Sequence, residues 1–186
     1  LNISNYILNN GTDIKFDSIE QGTGSGKERV DWIYNTLQKL GYKNSKKAAK
    51  KLKKKYDSDN LQMLIIAKGN GRSYAIRYGS GINKKKYFLE GMMLYSGNLV
   101  YNPNHFAAVY SHELLHLYGA WDLYATYAQT IDRQARATEL YPNDIMLRVD
   151  QNQGPLKVDK LTAWLIGWNQ TEEEHFEWFR PSDYNK

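Results

Sequence analysis

His112-Glu113-Leu114-Leu115-His116-Leu117-Tyr118-Gly119-Ala120-Trp121-Asp122-Leu123-Tyr124 is the stretch on which the reading of this chain turns. It has the form HExxHxxGxxD. On an α-helix, residues four apart share a face, about 6 Å apart along the axis. Imidazoles at His112 and His116 can therefore reach one Zn2+ at about 2.0–2.1 Å each. Glu113, one residue past the first ligand, can hold and deprotonate a metal-bound water. Gly119 suits the left-handed position just beyond a helix end. A chain turning there can swing Asp122 back toward the metal as a third ligand.

The flanks ask for the same helix. Ala107, Ala108, Val109, Leu114, Leu115 and Leu117 supply an apolar face, with Asn104 as the expected N-cap. The plain alternative is a helix carrying two ordinary histidines, and the GxxD continuation speaks against it.

Composition narrows the chemistry. A length of 186 residues, 41% hydrophobic and 13% aromatic, fits one domain with a real core. The chain has no cysteine, so disulfides and Cys-based metal sites are excluded. Any zinc must use His and carboxylate, a donor set that points to catalysis more than to scaffolding. No run of about 18 apolar residues predicts a membrane span. The chain opens at Leu1 rather than Met. The expectation is that a signal or pro-segment has been removed and that the protein is secreted or on the cell surface.

The net charge of +5 is unevenly spread, with eight lysines between residues 43 and 55. The favoured reading is a solvated helix face with Ala48, Ala49, Leu52 and Tyr56 turned inward and Ser45 as N-cap. A nucleic-acid patch is disfavoured, because no aromatic stacking platform or base-reading motif accompanies the run.

Taken in order, the chain predicts a strand over residues 13–19, a loop over 21–26 and an amphipathic helix over 27–40 closed by Gly41. The lysine-rich helix follows. Residues 61–67 are almost all apolar and read as a central strand. Residues 73–78 read as its hairpin partner across the turn at 68–71. Another strand lies within 86–95, with a break expected at Gly91, and a short extended piece at 99–101 precedes Pro103. Beyond Asp122, residues 126–140 are helix-compatible, 141–144 form a turn, and Ile145-Met146-Leu147 is a short apolar run. Further helices are expected at about 159–168 and from Thr171, where Thr171 and Glu174 form a capping box.

With HELLHLYGAWDLY and the later Asp144-Ile145-Met146 in hand, the chain resembles the metzincin clan of zinc metallopeptidases. The snapalysin-type and immune inhibitor A-type families show the same HExxHxxGxxD. The strong match covers residues 105–124, with weaker support to residue 168. The resemblance implies His112, His116 and Asp122 as zinc ligands, Glu113 as general base and Met146 as the Met-turn residue beneath the metal. The third ligand stays open at this point. Glu139 lies 23 residues after His116, a spacing similar to the thermolysin-like arrangement, while Gly119 and Met146 favour Asp122. His105 and His175 are more remote choices. No tyrosine directly after Met146 stands out as an oxyanion stabiliser, and Tyr124 and Trp121 read as packed beside the site.

The expected fold is α+β and zincin-like: a small mixed β-sheet with N-terminal helices, the HExxH helix, and a mainly helical C-terminal part with the Met-turn. One catalytic domain spans residues 1–186, with an upper lobe over about 1–119 and a lower lobe over about 120–186. The expected function is zinc-dependent endopeptidase activity through a metal-bound water activated by Glu113. Protein or peptide substrates are expected, with no nucleic-acid partner and a monomer as the default state. Zinc amidase chemistry on non-protein amides belongs to the same class. The alternatives are a catalytically silent zincin-fold binding module, or a basic interaction protein using the helix from Lys46 to Lys55.

Overall fold

Apolar patterning puts the chain's described elements into a mixed α and β architecture built on a small sheet. The computed structural model describes residues 31, 35–58, 61–67, 71–76, 89–97, 103–126, 128–150 and 154–181. The strand expected at 13–19, the loop at 21–26 and the extended piece at 99–101 lie outside these residues.

Residues 35–39 are helical, with Thr36 and Leu37 buried. The Gly41 and Tyr42 N–H groups close the end on the Gln38 and Leu37 carbonyls. Helix α1 (Ser45–Tyr56) follows. Its N-cap is Asn44 rather than Ser45: the extended Asn44 accepts from the Lys47 N–H at 3.0 Å, and Ser45 is already helical and buried. Ala48, Ala49 and Leu52 turn inward as their spacing requires, and Tyr56 is half-buried.

Three strands form one sheet among the described residues: β1 (Gln62–Ala67), β2 (Tyr74–Ile76) and β3 (Glu90–Tyr95), in the order β1-β3-β2. Two expectations fail here. The centre is β3, not β1, and β2 pairs with β3 rather than closing a hairpin on β1. Strand β1 runs parallel to β3 with Gln62 opposite Glu90, and β2 runs antiparallel with Ala75 opposite Met92. The physical reason is burial on both faces. Gly91, Met92, Met93 and Leu94 are consecutively buried in β3, whereas β1 alternates and leaves Leu64 and Ile66 exposed. Gly91 does not interrupt the strand; it sits between Met63 and Ile76.

Helix α2 (Pro103–Leu117) packs on β2 and β3. It starts at Pro103, whose fixed φ suits the first helical turn, so Asn104 lies inside the helix and is not its cap. Beyond it come α3 (Ile131–Leu140), α4 (Lys160–Leu165) and a 3-10 turn (Glu177–Phe179). Helix α3 is shorter than residues 126–140 suggest. Thr126 instead caps a tight turn by accepting from the Ala128 and Gln129 N–H groups, and Thr130 is the N-cap. No helix starts at Thr171. Its N–H is taken by Asn169 Oδ1, Glu173 pairs with Lys160 Nζ at 2.7 Å, and burial of Phe176 and Phe179 sets the tight turns there.

The core has two clusters. One gathers α1, β2 and β3 around Leu37, Ala48, Leu52, Ile76 and Met93. The other gathers the end of α2 with described residues beyond it, as far as Phe179, around Trp121, Tyr141, Met146, Leu161 and Phe176. Among the described residues, no helix is long and apolar enough to cross a membrane.

Candidate metal centre

Helix α2 supplies the first half of the site. His112 and Glu113 are buried and His116 is half-buried, all on the last two turns. Gly119 then ends the helix at φ 107°, a left-handed backbone that a side chain strains. The Gly119 N–H meets the His116 carbonyl at 3.0 Å and the Ala120 N–H meets the Leu115 carbonyl at 3.1 Å, closing a Schellman motif. The chain reverses there, and Asp122 comes back alongside both histidines.

Each imidazole is oriented through its Nδ1. His112 Nδ1 donates to the Ile145 carbonyl at 2.9 Å, and His116 Nδ1 donates to the Ala120 carbonyl at 3.0 Å. A carbonyl can only accept, so each Nδ1 carries a proton, and a ring with no second proton presents a bare Nε2 lone pair. The two Nε2 atoms lie 3.2 Å apart. Asp122 Oδ1 lies 3.3 Å from one and 3.1 Å from the other. That oxygen is buried and finds no hydrogen-bond donor. Its contacts with the rings become hydrogen bonds only if an imidazole takes up a second proton. Otherwise three lone pairs face one point, an arrangement that a cation relieves.

The distances fit zinc. Ligand bonds of about 2.0–2.1 Å at tetrahedral angles place neighbouring donor atoms about 3.3 Å apart. The three observed edges are 3.1, 3.2 and 3.3 Å. All three donor atoms fall within one small cluster. Burial works against charge on Asp122, and only when an imidazole is protonated do its hydrogen bond and positive charge hold the carboxyl well below the usual range.

Glu113 stands beside this cluster and faces a cleft of about 390 Å³ that His105, Tyr124 and Arg72 also line. Burial pushes its pKa up to about 7; His112 and Arg72 oppose the rise and Asp122 adds to it. Tyr124 stacks on His112 with ring centroids 6.0 Å apart, and burial and the Asp122 charge raise its hydroxyl pKa.

The turn at 144–147 underlies His112. Met146 is fully buried in it, and its carbonyl accepts from the Leu123 N–H at 2.9 Å, tying the turn to the segment that carries Asp122. Asp144 organises the turn. Its Oδ1 accepts from the Met146 N–H at 2.7 Å and Thr162 Oγ1 at 3.0 Å, and Oδ2 accepts from the Asp159 N–H at 2.9 Å. Sequence reasoning used Asp144 only as a neighbour of Met146. The available signal was an aspartate opening an apolar run behind a Pro-Asn turn.

The other sequence candidates lie apart. Glu139 is on α3, exposed and paired with Arg136 at 2.5 Å, and does not join the cluster. His175 bonds the Tyr141 hydroxyl at 2.6 Å within the C-terminal cluster. His105 lines the cleft but is not among the three converging residues. Sequence reasoning missed Arg72 altogether, because no motif marks it. Compared with protein-family models, with curated proteins and with solved structures, the chain gives no match.

Proposed function

We propose that this chain is a zinc-dependent endopeptidase with a zincin-like fold of metzincin type, acting on protein or peptide substrates outside the cell. The observation that carries the reading is the convergence of two oriented imidazole lone pairs and an undonated buried carboxylate oxygen at tetrahedral-edge spacing, beside a cleft that holds Glu113. On this reading His112, His116 and Asp122 hold the metal, and Met146 sits in the Met-turn.

Zinc bound there supplies Lewis-acid chemistry, acidifying water and polarising a carbonyl. The protein's own part is narrower. Ile145 and Ala120 fix the ring orientations through their carbonyls, so the donor atoms need no rearrangement. Glu113 accepts the proton of the attacking water and hands it to the leaving amine. The buried setting of that carboxyl favours the protonated form midway through the cycle, when it must act as an acid.

The test is metal stoichiometry together with turnover. The purified chain should take up one zinc and cleave an unstructured protein such as casein, and a chelator should abolish cleavage. Glu113→Ala should keep the zinc and lose at least about a hundredfold in turnover. Failure to bind zinc removes the metal centre. Zinc binding without any turnover in the native chain leaves a binding module.

A further inference from the structure

We propose that Arg72 recognises a carboxylate on the substrate, so that the cleft selects peptides with an acidic group beside the bond to be cut. The inference deepens the peptidase reading and rests on it.

The segment that carries Arg72 is held in place by two ties to the end of β3. Gly71 lies flat on the Tyr95 ring, where a Cβ would come within 2.6 Å of three ring carbons. Two residues on, Ser73 Oγ accepts from the Tyr95 N–H at 3.3 Å. Arg72 sits between these ties on the cleft wall, which it shares with Glu113 and Tyr124. The guanidinium reaches the Tyr124 hydroxyl, and one hydroxyl occupies only part of a planar fork of N–H donors.

The second arginine on the wall is already engaged. Arg148 donates to the Pro142 carbonyl at 2.9 Å, to Asn143 Oδ1 at 2.7 Å and to the Asp150 and Gly154 carbonyls. It straps the turn at Pro142 and Asn143 to Asp150 and Gly154. Arg72 has a different environment: it is exposed and lines the same cleft as Glu113. The anionic groups on the same wall are Glu113 and Asp150. Glu113 is a site of proton traffic in the proposed reaction, and the Asp150 carbonyl is already held by Arg148. A fork of this kind pairs with a carboxylate through two parallel N–H···O bonds, which a neutral amide cannot match. The carboxylate can come from an acidic side chain or from the free C-terminus of a peptide.

The experiment uses the zinc-loaded full chain and two peptide pools of equal length with blocked ends, one with Glu and one with Gln at a single scanned position. A third pool carries a free C-terminus. The acidic pool, or the free-terminus pool if that is the source, should be cut at least about tenfold more efficiently in kcat/KM than the neutral one. Arg72→Gln should bring the ratio close to one, and Arg72→Lys should restore part of it. Binding of the same pools to zinc-loaded Glu113→Gln protein, read by fluorescence anisotropy, gives the ratio of Kd values without turnover. Equal kcat/KM and equal Kd for acidic and neutral pools in the native chain overturns the inference, and so does a ratio that survives Arg72→Gln. If no pool is cut, the peptidase reading has failed, and the anisotropy ratio still decides whether Arg72 reads a carboxylate.

Discussion

Asp144→Asn tests how the site is held from below. The carboxylate is fully buried and accepts three hydrogen bonds, from the Met146 and Asp159 N–H groups and the Thr162 hydroxyl. Asparagine keeps one oxygen, which can still serve Met146 and Thr162. Its amide then points two N–H donors at the Asp159 N–H, so one bond is lost and two donors face each other in a dry site. A charged hydrogen bond lost plus an unsatisfied buried donor amounts to about 2–4 kcal/mol. For a chain of this size that is a fall in Tm of roughly 5–15 °C. Thermal and urea unfolding followed by circular dichroism measure it. Burial raises the Asp144 pKa, and the three donors restrain the rise. In the window between the ordinary aspartate value and the raised one, the folded state binds more protons than the unfolded state. This group's contribution to stability therefore falls as pH rises through that window. The variant, lacking the titration, should lose that part of the pH slope. Because the Ile145 carbonyl orients His112, zinc affinity should also drop, by about 10–100-fold. A variant within about 0.5 kcal/mol of the native chain and equal to it in zinc affinity would refute the reasoning.

Gly119→Ala puts a side chain on a backbone at φ 107°; it should destabilise by roughly 1–3 kcal/mol and weaken zinc binding by displacing Asp122, as unfolding and zinc titration would reveal. Asp122→Ala should reduce zinc affinity far more than Glu139→Gln, whose exposed partner Arg136 is remote from the cluster; equal effects in a competition titration would reinstate Glu139 as the third ligand. Glu113 must be ionised to accept a proton, so kcat/KM should climb with pH through a midpoint at or below about 7, zinc pulling it down from the value burial sets. A rate that falls across pH 5–7 would contradict the role.

What was legible in the fold was local. The helix at α2, the inward set of α1 and the glycine stop at Gly119 depend on residues within a turn or two and form where spacing predicts. Of the apolar face expected on α2, Ala108, Leu115 and Leu117 are buried, Val109 and Leu114 half-buried and Ala107 exposed. Strand order was not legible, because β1 and β3 are both apolar runs. Which one becomes central is decided by partners far along the chain: β3 receives β1 on one edge and β2 on the other. The final turn was misread for a similar reason. Thr171 and Glu174 satisfy a capping pattern, but the ion pair of Glu173 with Lys160 and the burial of Phe176 and Phe179 override it.

At the site the boundary between local and distant explains both what the sequence discloses and what it conceals. His112, His116 and Asp122 converge because a helix and one left-handed glycine are enough to bring them together, and both features are written within eleven residues. The ring orientations are another matter. Ala120 is close to His116, but Ile145 is 33 residues from His112 and reaches it only because Asp144 pins its turn against α4. Arg72 arrives on the segment between β1 and β2, held to β3 by Tyr95. The donor set and the His116 tautomer are thus local properties of one helix and its turn, while the His112 tautomer is set by the turn at Ile145 and the cation on the cleft wall is set by the sheet. Three lone pairs at 3.1–3.3 Å, with both ring Nδ1 atoms already committed, have two ways to lower their energy, a proton or a metal. Zinc satisfies all three at once, whereas a proton satisfies one pair and leaves the third atom facing it.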